Sequence, residues 1–382
     1  MRLSNNGRYM EHMFPDTQGP HREEFFEAVD TAIAEIDKRL EDHLTQLKPD
    51  HVINGVYVGH LGIIYTYYVI GNPMWEVMFK RLQSFIKEDS NRVTFLESNM
   101  FAAIMDGNEQ LVYMYASRAT EMDPKDCEVL YGRAGCLLGL IFARRRFPKW
   151  RLDVYIEELS RQILAEGRSP ERDYLMWSWH GKEYLGAIHG VAGVLMALCL
   201  CGEESLRKVD PEAMNSVRRT AEYVLSHYKT EARNIQSSTK NTNDSLVHFC
   251  HGATGWVPLV CMLDRLFPGK FTDCAELLGE VVWRRGLIVN KGPGICHGIG
   301  GSICALLQLF HHTRCEAWLH KAQWFAFYLS ENWKRLVPLA DRPYSLFEGI
   351  SGAEFALSAT HIMTVDSTRF GNVTSLMPGF MI

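Results

Sequence analysis

Two short runs place a cysteine, a histidine and a glycine side by side, each directly ahead of an apolar stretch. They are Cys250-His251-Gly252 and Cys296-His297-Gly298. Thiolate and imidazole are the donors zinc prefers, and three protein ligands leave a fourth position open for chemistry. Cys250, Cys296 and His297 make such a set, and the 46 residues between the cysteines rule out a zinc finger. On spacing alone the same residues also suit helix caps, so both readings stand at this level. His251 is either a fourth ligand or a group lining the same basin. His189, in AIHGVAG, holds the equivalent place before its own glycine and suits general acid–base work. Arg133 within LYGRAG, and Glu128 four residues before Gly132, are candidates to touch the basin, with a surface position equally open to Glu128. Lys291 and Arg342 each precede a glycine-led run by a few residues and would suit an anionic group; Arg8 in NNGRYM is a third cation of this kind.

Such residues meet only if the elements carrying them converge. A lead followed by Gly-x-x-Gly and ten or more mostly apolar residues recurs at Gly59, Gly132, Gly190, Gly252, Gly298 and Gly349. The gap between the first two copies has room for a degenerate one at FLESNMFAAIM (Phe95 to Met105), which makes seven units. Between the copies lie charged segments whose apolar residues return every three or four positions, the period of a helix packed on one side. Alternating β-branched runs are scarce. Repeats of about 50 residues, each an outer amphipathic and an inner apolar helix, imply a solenoid or a ring. The glycine pairs favour the ring: they allow close approach of backbones and leave helix N-termini pointing into one basin. The expectation is a single all-α domain over 1–382, an (α/α)7 toroid, with an arm over 1–20, repeats over about 21–365 and a tail over 366–382.

Composition narrows the function. The chain has 382 residues, 47% of them hydrophobic and 22% charged, as in a globular protein. A net charge of −5 gives no support for nucleic-acid binding. No apolar run is long enough to span a bilayer, and the N-terminus lacks the apolar region of a signal peptide. A cytoplasmic address follows, with peripheral membrane association left open.

The motifs HGVAG, CHGATG, GPGICHG and RPYSLFEG resemble those of eukaryotic LanC-like proteins, relatives of the bacterial lanthionine synthetase cyclases. The resemblance runs from RYMEHMFPD to DSTRFGNV, nearly the whole chain. It implies a double ring of seven inner and seven outer helices around one Zn2+ held by Cys250, Cys296 and His297. It further implies glutathione as co-substrate, added to dehydroalanine or dehydrobutyrine residues that arise from phosphorylated proteins. By motif, His189 takes the acid–base role, and Lys291 and Arg342 the role of cations near phosphate or glutathione carboxylates. FLESNMFAA lacks the glycine pair of the second repeat, and the aspartate of the bacterial acid–base set has only Glu128 as a candidate counterpart. A non-catalytic glutathione- or phosphoprotein-binding scaffold is the alternative function. A carbohydrate-active toroid ranks last, because it needs two facing carboxylates where this chain carries Cys and His.

Overall fold

The structure, a computed structural model, describes residues 1–86, 91–371 and 373–381. After a two-residue ribbon of β1 (Arg2–Leu3) and β2 (Met10–Glu11), the described chain is helical. The first helices are α1 (Arg22–Gln46), α2 (Leu61–Ile70), α3 (Met74–Gln83), α4 (Met100–Met105), α5 (Glu109–Thr120), α6 (Arg133–Arg146) and α7 (Asp153–Gly167). There follow α8 (Val191–Cys201), α9 (Glu203–Val209), α10 (Ala213–His227), α11 (Ala253–Leu266), α12 (Thr272–Arg285), α13 (Ile299–Thr313), α14 (Glu316–Leu336) and α15 (Ile350–Val365).

Burial sorts these helices into two rings. In α8 every residue from Val191 to Cys201 is buried, which an all-apolar sequence allows and a polar one would not. In α1 the buried set is Phe25, Val29, Ala32, Ile36, Leu40 and Leu44, one stripe at helical spacing. The inner helices are α2, α4, α6, α8, α11, α13 and α15, and each packs on outer partners such as α7 on α6, α12 on α11 and α14 on α13. The last inner helix, α15, packs against the first, α2, while outer α14 packs against α1. The toroid is closed, as the glycine argument required.

A circuit of backbone hydrogen bonds between the loops that precede the inner helices shows how the closure is made. Tyr57 N–H donates to Leu96 O, Phe95 to Gly135, Val129 to Ile188, Ala187 to Phe249, Phe249 to Cys296, Cys296 to Phe347, and Phe347 back to Tyr57, at 2.7–3.4 Å. Seven links join seven repeats, so the degenerate second copy completes the ring. Its cost appears in α4, with six residues the shortest described inner helix. The second glycine of each regular pair explains why. A Cβ on Gly193 would lie 2.1 Å from Ala187 O, and one on Gly255 2.1 Å from Phe249 O. Phe101 stands where that glycine would be, although the lead loop keeps its turn, with Ser98 N–H donating to Thr94 O as Gly132 N–H does to Glu128 O.

The helix N-termini differ from expectation. Their first N–H groups do not open into the basin: Val191 N–H is taken by Tyr184 O (3.0 Å), Ile350 by Pro343 O (2.8 Å) and Ala253 by Asn234 Oδ1 (2.8 Å). The lead loop folds back over its own helix and uses those donors, so side chains must supply charge for any anion. The arm and tail are both packed. His12 and Phe14 stack near Trp283 and Trp324. In the tail Gly379 N–H donates to Tyr65 Oη, Leu376 N–H to Gln308 Oε1, and Phe380 packs 5.8 Å from Phe249. Gly379 also lies against Leu96 and Phe347. A segment touching five repeats at once must run inside the ring, and it gives the basin an apolar floor.

Candidate metal centre and active site

The repeat register defines the basin. The residues just before the first glycine position are Val58, Glu97, Tyr131, His189, His251, His297 and Glu348, and all seven are partly exposed. The residues before those, except Cys250, are buried. One wall position per repeat therefore faces the opening, and three consecutive ones carry histidine.

Cys250, Cys296 and His297 converge, with their donor atoms all within 4.8 Å of one another. A four-coordinate zinc ion with Zn–S bonds of about 2.3 Å matches such a set with little closure. The ring circuit holds both cysteines, since Cys296 O accepts from the N–H groups of Phe249 and Cys250, and Cys296 N–H donates to Phe347 O. Burial pushes the Cys296 thiol well up, and the neighbouring Cys250 sulfur pushes it further. Burial alone would lower the His297 pKa, but the Cys296 sulfur and Glu348 outweigh it and raise the net value. Zinc takes cysteine as thiolate, so an ion bound at this set would displace the Cys296 proton that burial retains. His251 lies outside this donor set. Burial and its histidine neighbours hold its pKa down to about 4, so it is neutral. Asp341 and Glu348 place carboxylate oxygens within 4.8 Å of a His297 ring nitrogen.

His189 Nδ1 donates to Glu128 Oε2 at 2.8 Å. Glu128 is buried, and its carboxylate also accepts the Leu130 and Tyr131 N–H groups, so the loop turn itself aims it. The surface position left open for Glu128 is thereby excluded. With the Nδ1 proton committed, Nε2 is the atom left for proton exchange. The Trp179 indole lies flat on the His189 ring, with centroids 4.0 Å apart at 4°, and fixes its plane. Tyr131 and Tyr184 lie 6.1 and 6.3 Å away, forming an aromatic wall.

The cations gather elsewhere. Burial first, then the charges of His297, Arg8 and Lys291, bring the His248 pKa down to about 3. Lys291 and Arg342 both act on Glu348. Arg8 belongs to the arm, which Met10 N–H ties to Leu287 O and Asn290 ties to Gly7 O. Arg133 is a correction. It is buried, and its guanidinium donates to Gln162 Oε1, Asp123 O and Met122 O at 2.6, 2.6 and 2.5 Å. Buried and held by these outer-layer partners, it does not line the basin.

The residues of the site missed in the sequence are Tyr131 and Tyr184 of the aromatic wall and four more. Glu97 and Tyr57 become visible once FLESNMF and VYVGHLG are placed in the repeat register. His248 lies in the HFCHG motif but outside that register, and Trp179, in a long loop ahead of the fourth repeat, carries no local signal.

Comparison with known proteins follows this geometry. Residues 22–362 match the family model described as Lanthionine synthetase C-like protein. The Danio rerio protein named Glutathione S-transferase LANCL1 is 31% identical over 240 residues, 60% of this chain and 58% of that relative. The Arabidopsis thaliana LanC-like protein GCL1 is 31% identical over 236 residues, 59% of this chain and 53% of the relative. The chain spans little more than half the length of these curated relatives. The solved structure of Nisin cyclase is alike in fold, with a TM-score of 0.62 at 15% identity over 94% of this chain and 98% of that one.

Proposed function

The chain belongs to the lanthionine synthetase C-like family, and on that premise we propose that it adds a thiol, with glutathione the leading choice, to dehydroamino acid residues in proteins. The observation that carries the proposal is the convergence of Cys250, Cys296 and His297 in a basin that also holds the His189–Glu128 pair. A zinc ion bound by those three residues supplies thiolate at neutral pH, where a free thiol of pKa near 8.5 does not. No helix among the described residues is long and apolar enough to cross a membrane, which accords with work in the cytoplasm on protein substrates.

The chain's own residues divide the labour. Arg8, Lys291 and Arg342 hold the carboxylates of the anionic thiol on one side of the basin. The aromatic wall of Tyr131, Trp179 and Tyr184 receives the flat, conjugated acceptor on the other. His189 Nε2 takes the proton that the thiol gives up on becoming thiolate, before its sulfur bonds to the β-carbon. The enolate electrons then collect that proton at the α-carbon, so the histidine returns to its starting state. Glu128 stabilises the transient imidazolium and keeps Nε2 directed at the basin. Neutral His251 donates a hydrogen bond to the enolate oxygen.

The direct test is mass spectrometry of a dehydroalanine peptide incubated with glutathione and the purified protein. The expected product is the peptide heavier by one glutathione, formed faster than without protein. A scaffold that binds glutathione without turnover gives no acceleration, and that outcome would remove the enzymatic reading.

A further inference from the structure

We infer that Tyr57 is a positioning residue of the metal centre: its phenol donates a hydrogen bond to Cys296 Sγ, holding that sulfur in place and lowering its nucleophilicity. The inference rests on the metal reading of Cys250, Cys296 and His297.

The register of the repeats supplies the first argument. Tyr57 occupies in the first repeat the position that Cys250 and Cys296 occupy in the fifth and sixth. The same inward position carries Leu96, Leu130, Ile188 and Phe347 in the other four. Those four are apolar and close the floor, so a phenol there introduces a polar atom that needs a partner. Its partner is Cys296 Sγ, at 2.7 Å.

The second argument is the rigidity of the donor. Tyr57 N–H donates to Leu96 O at 2.9 Å, and its carbonyl accepts from Phe347 N–H at 3.2 Å, so two links of the ring circuit fix its backbone. Its ring lies on Phe347, with centroids 4.4 Å apart. Tyr57 and Cys296 are both buried, so the contact between them is closed to solvent.

The chemical consequence concerns which sulfur reacts. A site that brings an electrophilic alkene up to thiolates exposes its own ligands to the same attack. Bond formation from Cys296 Sγ to the β-carbon would leave a thioether on the enzyme and one metal ligand fewer. A proton shared with Tyr57 draws charge from that sulfur, as outer groups do for ligands generally. A substrate thiol without such a donor stays the better nucleophile.

Tyr57→Phe removes the donor and keeps the ring. Two readouts that do not need turnover decide the matter: the thiolate-to-metal charge-transfer band of the cobalt-loaded protein, and iodoacetamide alkylation of Cys296 in the zinc-loaded protein, followed by peptide mass spectrometry. The expected results are a band at lower energy and alkylation faster by about tenfold, the lower end for a hydrogen bond to a charged group. An unchanged band with unchanged alkylation overturns the inference while leaving the metal reading intact. Failure of the unsubstituted protein to take up cobalt overturns both. Should Tyr57→Phe fail to fold, site-specific 3-fluorotyrosine at position 57, a stronger donor of the same shape, decides alone. It must move the band to higher energy and slow alkylation, and no change counts against the inference.

Discussion

At the scale of single residues, the His189–Glu128 pair and the carboxyl of Glu97 give separable expectations. His189 is outside the converging donor set, so His189→Ala should retain metal and fold. Its turnover should fall by about 10² to 10⁴, the usual contribution of an acid–base group. Metal analysis beside a rate assay checks this, and joint loss of both would make His189 structural. Glu97 has its pKa raised to about 7, first by burial and then by Glu128 and Glu348, with Arg92 opposing. A folded-state pKa above the unfolded value of 4.5 means the contribution to stability is complete below about pH 4.5 and is lost as pH rises through 7. Glu97→Gln stays neutral throughout, so its melting temperature should gain on the parent protein by roughly 1–3 °C between pH 5 and pH 8. A constant difference across that range would mean Glu97 does not titrate there. The residues legible from sequence were those repeated in phase: Cys250, Cys296, His297 and His189 share motif and register. Glu128 was legible only as a candidate, because its burial depends on how a loop turns back to offer two N–H groups.

At the scale of elements, the glycine-led loops set the geometry, and their tolerance is small. A Cβ on Gly255 would meet both Phe249 O at 2.1 Å and Ala187 Cβ at 2.9 Å. Gly255→Ala should therefore cost about 1–3 kcal/mol, as overpacking does, and thermal unfolding would register it. Because the displaced carbonyl belongs to the residue before Cys250, the variant should also release metal to a chelator faster. Retention of full stability would show that the loop can move away without cost. The apolar inner runs and the longer outer helices, α1, α7, α10, α12 and α14, were legible by period. Outer α3 and α5 were not, since they fall beside the repeat whose glycines are lost, where the frame used to find the others breaks. The free helix N-termini expected from the glycines fail at α6, α8, α11 and α15 for a local reason: the preceding segment takes the first N–H of the helix.

At the scale of the whole molecule, the site exists because the ring closes. Cys250 comes from one repeat, Cys296 and His297 from the next, and Tyr57 from the first, and the loop circuit places them within reach of one another. Closure was legible in the glycine pairs that let the inner helices approach; the tail's path inside the ring was not, because Met377 and Phe380 carry no periodic signal. The central claim is that this closed ring builds one zinc centre from two repeats. Elemental analysis of the purified protein beside Cys250→Ala and Cys296→Ala tests it most directly. The predicted result is one zinc per chain in the parent protein and a sharp loss in each variant, since each removes one of three protein ligands. Full zinc occupancy in both variants would contradict the account.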